Sequence, residues 1–186
     1  MLVAAIFSRY PEALDWALHR IAETWGTLMM TSDRFRFDQT HYYQPSMGDG
    51  LLKQLVAVEG DFDPSDLAAC KLTSNQWELD YAEAHASPEP RPLNVDPGYI
   101  TPMKVVLAST KDRAHRIYLR DGIYAEECLY FHAQGWQGRP WTYPDYLSVD
   151  YHAFLLRVRE QLQLRLKVFA SEMKAKELPS MKENSL

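Results

Sequence analysis

The chain has 186 residues, 46% hydrophobic and 24% charged, with a formal net charge of −5. It is too apolar for general disorder, and one domain of this length buries about two-thirds of its unfolded surface without a disulfide or metal staple. No stretch reaches the ~18 apolar residues of a membrane span, and a pI of about 5.7 argues against a general nucleic-acid coat.

In chain order, the apolar run Val3–Phe7 has no basic flank and reads as a first strand rather than a signal segment. Pro11 suits a first helical position. Leu14, Leu18, Ile21 and Trp25 follow at helical spacing until Gly26 supplies a left-handed stop. Strands are expected at 27–31, at 34–37, where Phe35 and Phe37 alternate with Arg34 and Arg36, and at 51–58. Asp63-Pro64-Ser65-Asp66 is a helix start, and Leu67, Cys70, Trp77 and Tyr81 give that helix its apolar face. The proline-rich stretch 87–92 reads as a stiff connector between two halves.

Beyond it, Asp96-Pro97-Gly98 has the composition of a turn. Met103–Ala108 looks like a buried strand, and Arg116–Arg120 with Ile123–His132 like a hairpin closed by Asp121-Gly122. Gly135 marks another turn. Tyr151, Leu155, Val158, Leu162, Leu166, Phe169 and Met173 then repeat at threes and fours, an amphipathic helix with Ser148 as its cap. The tail 176–186 has nothing to bury and is expected to fray. The order predicts a single α+β domain over 1–175, with an antiparallel or mixed sheet covered by helices on one side. Its first half is compatible with a ferredoxin-like split βαβ arrangement. Two cysteines, Cys70 and Cys128, are too few for a disulfide framework or a four-thiolate zinc site, so the expected compartment is the cytoplasm.

Chemistry concentrates in the second half. Lys111, Arg113 and Arg116 gather beside His115 in a chain that is acidic overall. Arginine forks clamp phosphate or carboxylate, although the same charges would also serve as gatekeepers on a solvated turn. Counting outward from a two-residue Asp121-Gly122 loop pairs Tyr118 with Ala125, Ile117 with Glu126, Arg116 with Glu127 and His115 with Cys128. That register predicts an Arg116–Glu127 bridge on the face that carries Tyr118. It places His115, Glu126 and Cys128 together on the other face, as an acid–base set, as metal ligands, or as a histidine satisfied by a carboxylate. Asn94 and Asp96 project the same way in an extended chain and could hold a divalent cation or a hydroxyl; Asp96 could equally cap its own turn. Trp141-Thr142-Tyr143-Pro144-Asp145-Tyr146 offers a stacking platform, or a plug anchoring the last helix.

Four strings carry a resemblance: Asn94-Val95-Asp96-Pro97-Gly98-Tyr99, Lys111 through Leu119, Gly122-Ile123-Tyr124-Ala125-Glu126, and Trp141 through Tyr146. With Tyr42-Tyr43 and Met47-Gly48 in the first half, they resemble the bacterial family known as domain of unknown function 4416, over nearly the whole chain. The chain departs from that pattern at Glu127-Cys128, where an apolar residue and a threonine are expected, which leaves Glu126 the better site candidate. The resemblance implies a bacterial, cytoplasmic protein and brings no established reaction. A GTP-binding label carried by some members finds no Gly-x-x-x-x-Gly-Lys-Ser/Thr here.

The expected function is binding of a small anionic ligand, a nucleotide or phosphate metabolite, with hydrolase or phosphotransferase chemistry as the possible reaction. Lys111, Arg113 and Arg116 would neutralise the anion, and Asn94, Asp96 and Glu126 would hold a divalent cation or a hydroxyl. His115 would carry a proton, Tyr118 would touch the ligand, and Tyr143 and Asp145 would close the rim. The alternative is a non-catalytic interaction module, with the last helix as a homodimer seam or the tyrosine-rich strands as a partner surface. Neither a membrane nor a nucleic acid is an expected partner.

Overall fold

Leu2–Ser8 (β1) is buried at all seven positions, as a strand covered on both faces must be. In the computed structural model, which describes residues 1–177, it is an interior strand of an antiparallel sheet. The other strands are β2 (Leu28–Thr31), β3 (Phe35–Arg36), β4 (Leu52–Val58), β5 (Asn94–Ile100), β6 (Lys104–Ser109), β7 (Ile117–Arg120), β8 (Ile123–His132) and β9 (Gly135–Gly138). The helices are α1 (Pro11–Thr24), α2 (Gln44–Met47), α3 (Leu67–Ala84) and α4 (Val149–Glu177). The sheet runs β2-β4-β1-β5-β6-β8-β7, with β3 added to β4 and β9 to β8. Its first four strands, with α1 and α3, have the order of a ferredoxin-like split βαβ unit.

Local chemistry explains most boundaries. Pro11 opens α1, which buries Ala13, Leu14, Ala17 and Ile21, and Gly26 (φ 118°) turns the chain after it. The Asp63 carboxylate accepts from the Ser65 N–H at 2.9 Å, capping a 3₁₀ turn that feeds α3. The short α2 is absent from the expected elements; it forms where Met47 buries beside Phe7, Phe37 and Leu51.

The helices lie on both faces of the sheet, which corrects the one-sided arrangement. Leu2, Ala4 and Ile6 pack with α1 and α3, whereas Val3 and Ala5 pack with α4. Leu2 through Phe7 of β1 are all apolar, so each face needs its own cover. Ser148 caps α4, its hydroxyl accepting from the Tyr151 N–H at 3.3 Å. The helix buries Tyr151, Phe154, Leu155, Val158 and Leu162, but Leu166, Phe169 and Met173 are exposed. It continues to Glu177, past the point where fraying is expected, and residues 178–186 lie outside the described ones.

Two expectations fail in the second half, each for a physical reason. Asp96-Pro97-Gly98 is not a turn but the middle of β5. The Ile100 N–H donates to Met1 O and the Thr101 N–H to Lys104 O, so the odd-numbered N–H positions of β5 face β6. Pairing with β6 reaches only from Ile100 back to Gly98, and Pro97 lacks its N–H at the position where β6 has already diverged. Gly98 is needed for space: a Cβ there would lie 2.4 Å from Val106 O. In the hairpin, Arg120 faces Ile123 as expected, with Asp121 (φ 54°) and Gly122 (φ 75°) forming the turn. An irregularity at Leu119 then slips the register by one, so Tyr118 faces Tyr124 and Ile117 faces Ala125. β7 begins only at Ile117, leaving His115 and Arg116 in the preceding turn.

Candidate functional site

The divergence of β5 from β6 leaves the Val95 N–H and C=O without a strand partner on that side, and α3 supplies one. The Val95 N–H donates to Glu78 Oε1 at 2.8 Å, and Val95 O accepts from Lys71 Nζ at 3.0 Å. Both side chains come from the buried face of α3. The gap between the strands opens into a cleft of about 440 Å³. Ala5, Asn94, Asp96 and Leu107 line it from the sheet, residues 39, 40, 42 and 43 from one wall, and residues 109–111, 113, 115, 116, 141 and 143–146 from the other.

Inside, every carboxylate is matched to a cation. Lys53 Nζ donates to Asp145 Oδ2 at 2.6 Å, each side chain only 5% exposed, and lies 3.7 Å from the centre of the Phe37 ring. Burial presses the Lys53 ammonium below its usual range against the pull of Asp145. Lys71 Nζ donates to Asp96 Oδ1 at 2.8 Å, and Asn94 Nδ2 donates to Asp96 Oδ2 at 2.7 Å. Burial would raise Asp96, but the Lys71 ammonium and these hydrogen bonds outweigh it and hold the carboxyl below its ordinary value. Glu78 shifts the other way, raised by burial despite Lys71 and Arg91. Arg91 reaches Glu78 Oε2 at 2.9 Å and also donates to Asn94.

Buried on β8, Glu126 holds both His115 and Arg116 of the turn before β7. Its Oε2 lies 2.7 Å from His115 Nε2, and its Oε1 accepts from Arg116 Nη2 at 3.0 Å. Arg116 also donates to Tyr143 Oη at 2.6 Å, Ser109 Oγ at 2.7 Å and Lys111 O at 2.8 Å. The His115 ring stacks on Trp141 at 5.1 Å with an interplanar angle of 11°. At the mouth Lys111 Nζ donates to Tyr42 Oη at 2.6 Å, a bond that lowers the phenol's pKa. Among the described residues the Arg113 guanidinium has no hydrogen-bond or ion-pair partner.

Of the candidate residues, Asn94, Asp96, Lys111, Arg113, His115, Arg116, Tyr143 and Asp145 line this one cleft, and Glu126 sits buried behind His115 and Arg116. Tyr118 does not join them: it is 57% exposed on β7 against Tyr124, turned away by the slipped register. The expected Arg116–Glu127 bridge is replaced by Arg116–Glu126, while Glu127 pairs with Arg139 at 2.7 Å. Asp145 is not a rim residue but is buried with Lys53. Cys128 packs in the core under α4, where burial pushes its thiol well above the usual range. Among the described residues no group of three His, Cys, Asp or Glu side chains could hold a metal ion, and the Asp96 oxygens are taken by Lys71 and Asn94.

Lys53, Lys71, Glu78 and Arg91 escaped the sequence argument, and Tyr42 and Tyr43 entered it only through the family resemblance. A signal was present for three of them. Lys53 interrupts an apolar strand run, and Lys71 and Glu78 fall on the same helical stripe as Leu67, Cys70, Trp77 and Tyr81. Charges on a buried stripe mark either an error of phase or a site.

Six cations line the cleft: Lys53, Lys71, Arg91, Lys111, Arg113 and Arg116. Against them stand Asp96 and Asp145 in the lining and Glu78 and Glu126 directly behind, an excess of two positive charges that falls at the mouth, on Lys111 and Arg113. No helix is long and apolar enough to cross a membrane among the described residues. No curated protein matches the chain. The profile of one family, described as "Domain of unknown function (DUF4416)", matches residues 1–162, and the chain belongs to that family.

Proposed function

For a member of a family described only as a domain of unknown function, we propose binding of a small phosphate-bearing anion, a nucleotide or phosphate metabolite, in the cleft between β5 and β6. The observation that carries this reading is the surplus of positive charge at the mouth: Arg113 has no partner among the described residues, and Lys111 has only the Tyr42 hydroxyl. An arginine fork and a lysine point charge, set beside a partly apolar wall, suit a phosphate group. Arg116 acts differently from the expectation. Its Nη donors are spent on Glu126, Tyr143, Ser109 and the Lys111 carbonyl, and only its buried Nε–H lacks a partner, so it positions the 109–116 loop rather than gripping the ligand.

His115 sits where a proton carrier would. Its ring is held by Glu126 at one nitrogen and by Trp141 at one face, and it lines the same cleft as the free cations. A carboxylate that fixes the orientation of an imidazole is the usual partner of a general acid or base. Hydrolysis or phosphoryl transfer would then use His115 for the proton and the mouth cations for the developing charge.

The test is thermal unfolding of the purified protein with pyrophosphate, nucleoside diphosphates and sugar phosphates, each with and without Mg²⁺ or Mn²⁺. A bound phosphate compound at a hundredfold excess over its dissociation constant stabilises by about 2.7 kcal/mol, a rise of roughly 5–10 °C for a chain of this size. Arg113→Ala abolishes most of that rise, and His115→Gln keeps the rise but stops any turnover. No shift with any of these compounds, with or without metal, overturns the reading.

A further inference from the structure

Burial along α4 stops at Leu162, and so does the family match, yet the helix runs on from Gln163 to Glu177. A free helix of about 15 residues is marginal in water, so this stretch needs cover for its apolar side. Leu166, Phe169 and Met173 continue the line of Leu162 at spacings of four, three and four, and are 46%, 59% and 44% exposed. That is a heptad seam with nothing packed on it among the described residues.

We propose that a second copy of the same helix covers this seam, running antiparallel. A two-fold axis passing between positions 167 and 168 sets Leu166 against the partner's Phe169, a layer the symmetry repeats, with Met173 flanking it at each end where the partner's Leu162 already turns into its own core. The flanking charges fit only this direction. Arg165 and Glu172 lie on the same side of the seam, with uncharged Gln163 and Ala170 on the other. Antiparallel pairing brings Arg165 against the partner's Glu172 twice, whereas parallel pairing in register sets Arg165 against the partner's Ala170. Leu164 and Val168 point away from the seam and stay exposed. Two central layers with a Met173 at each end make a small interface, in the size class of weak and reversible contacts, with a dissociation constant of about 10 µM or weaker.

Sedimentation equilibrium of the full chain, from about 1 to about 200 µM, reads the result directly. The mass climbs from 21.6 kDa towards twice that value as concentration rises. Phe169→Glu holds the protein at the monomer mass throughout and leaves its thermal melt at about 1 µM, where both forms are monomeric, unchanged, since the Phe169 ring touches no part of its own core. Arg165→Glu alone weakens the dimer about three- to tenfold. The reversed pair Arg165→Glu/Glu172→Arg restores it, which separates the seam from the loose contact between Arg165 and Asp61 at 3.7 Å. A monomer at every concentration, whether residues 178–186 or nothing covers the face, overturns the proposal, as does a dimer indifferent to Phe169→Glu. Failure of the reversed pair to restore association overturns the antiparallel register.

Discussion

Lys53 and Asp145 meet at 2.6 Å with almost no water around them, and an ion pair in that position costs desolvation on both sides. Removing one partner strands the other. Lys53→Met should therefore cost about 3–5 kcal/mol in urea unfolding, and Lys53→Met/Asp145→Leu less than either single change. Single changes that each cost under about 1 kcal/mol would mean the pair is hydrated and the cleft wetter than its geometry says. The acid limb of stability tests two further carboxylates with opposite signs. Asp96 is held below 3.8, so between that value and its folded pKa the unfolded chain binds the extra proton, and stability falls as pH drops through the window. Glu78 is raised above 4.5, so its contribution is complete below 4.5 and is lost as pH climbs through the raised value. Asp96→Asn should flatten the loss below pH 3.8 and leave the slope above 4.5 alone, whereas Glu78→Gln should do the reverse, read by chemical denaturation from about pH 3 to 7. Only one partner of Asp96 could be found by local counting. Asn94 was visible as a same-side neighbour two residues away, but Lys71 comes from a helix 25 positions earlier and reaches Asp96 only because β6 has diverged.

At the level of elements, patterns that depend on near neighbours were readable and those that depend on the opposite strand were not. Pro11, Gly26, Asp63 and Ser148 each act within a few residues, and each stands where its chemistry requires. The Leu119 irregularity shifted a register that loop length alone would set, and with it went Tyr118 and the Arg116–Glu127 bridge. Glu126 nevertheless meets His115, because the turn before β7 carries His115 back over the strand. The seven-residue stripe of α4 looked uniform, but a sheet of finite width covers only its first part. Tyr151, Phe154, Leu155, Val158 and Leu162 each contribute roughly 1.5–3 kcal/mol by burial, a sum comparable with the whole stability of a domain. A chain ending after Ser148 should not fold, while one ending after Leu162 should melt within a few degrees of the intact protein. Circular dichroism on both distinguishes them. If the shorter chain folds, α4 is not core to this sheet.

For the whole molecule, the proline-rich stretch 87–92 suggested a joint between halves, yet the sheet passes straight across it through β1, β5 and β6. The stretch itself is tied down: Glu89 accepts from Arg9 and Tyr10, Ser8 Oγ donates to Pro92 O at 2.5 Å, and the Arg91 N–H donates to Ser46 O at 3.0 Å. The cleft follows the same logic, since Lys53, Lys71 and Arg91 come from before β5 and Lys111, Arg113, Arg116 and Asp145 from after it. Ions from either side are paired across that boundary, as Lys53 with Asp145, so neither half can open without exposing a charge of the other. Unfolding should accordingly be a single transition. Hydrogen exchange at Val56 in β4 and at Leu129 in β8, both fully buried on opposite sides of the connector, should report the same opening free energy and the same dependence on urea. A phosphate compound that occupies the cleft should raise both by the same amount, because it binds only the state in which the two halves are joined. Two separate midpoints, with the ligand moving only one of them, would mean that the connector divides the stability of the chain and that the cleft belongs to one half alone.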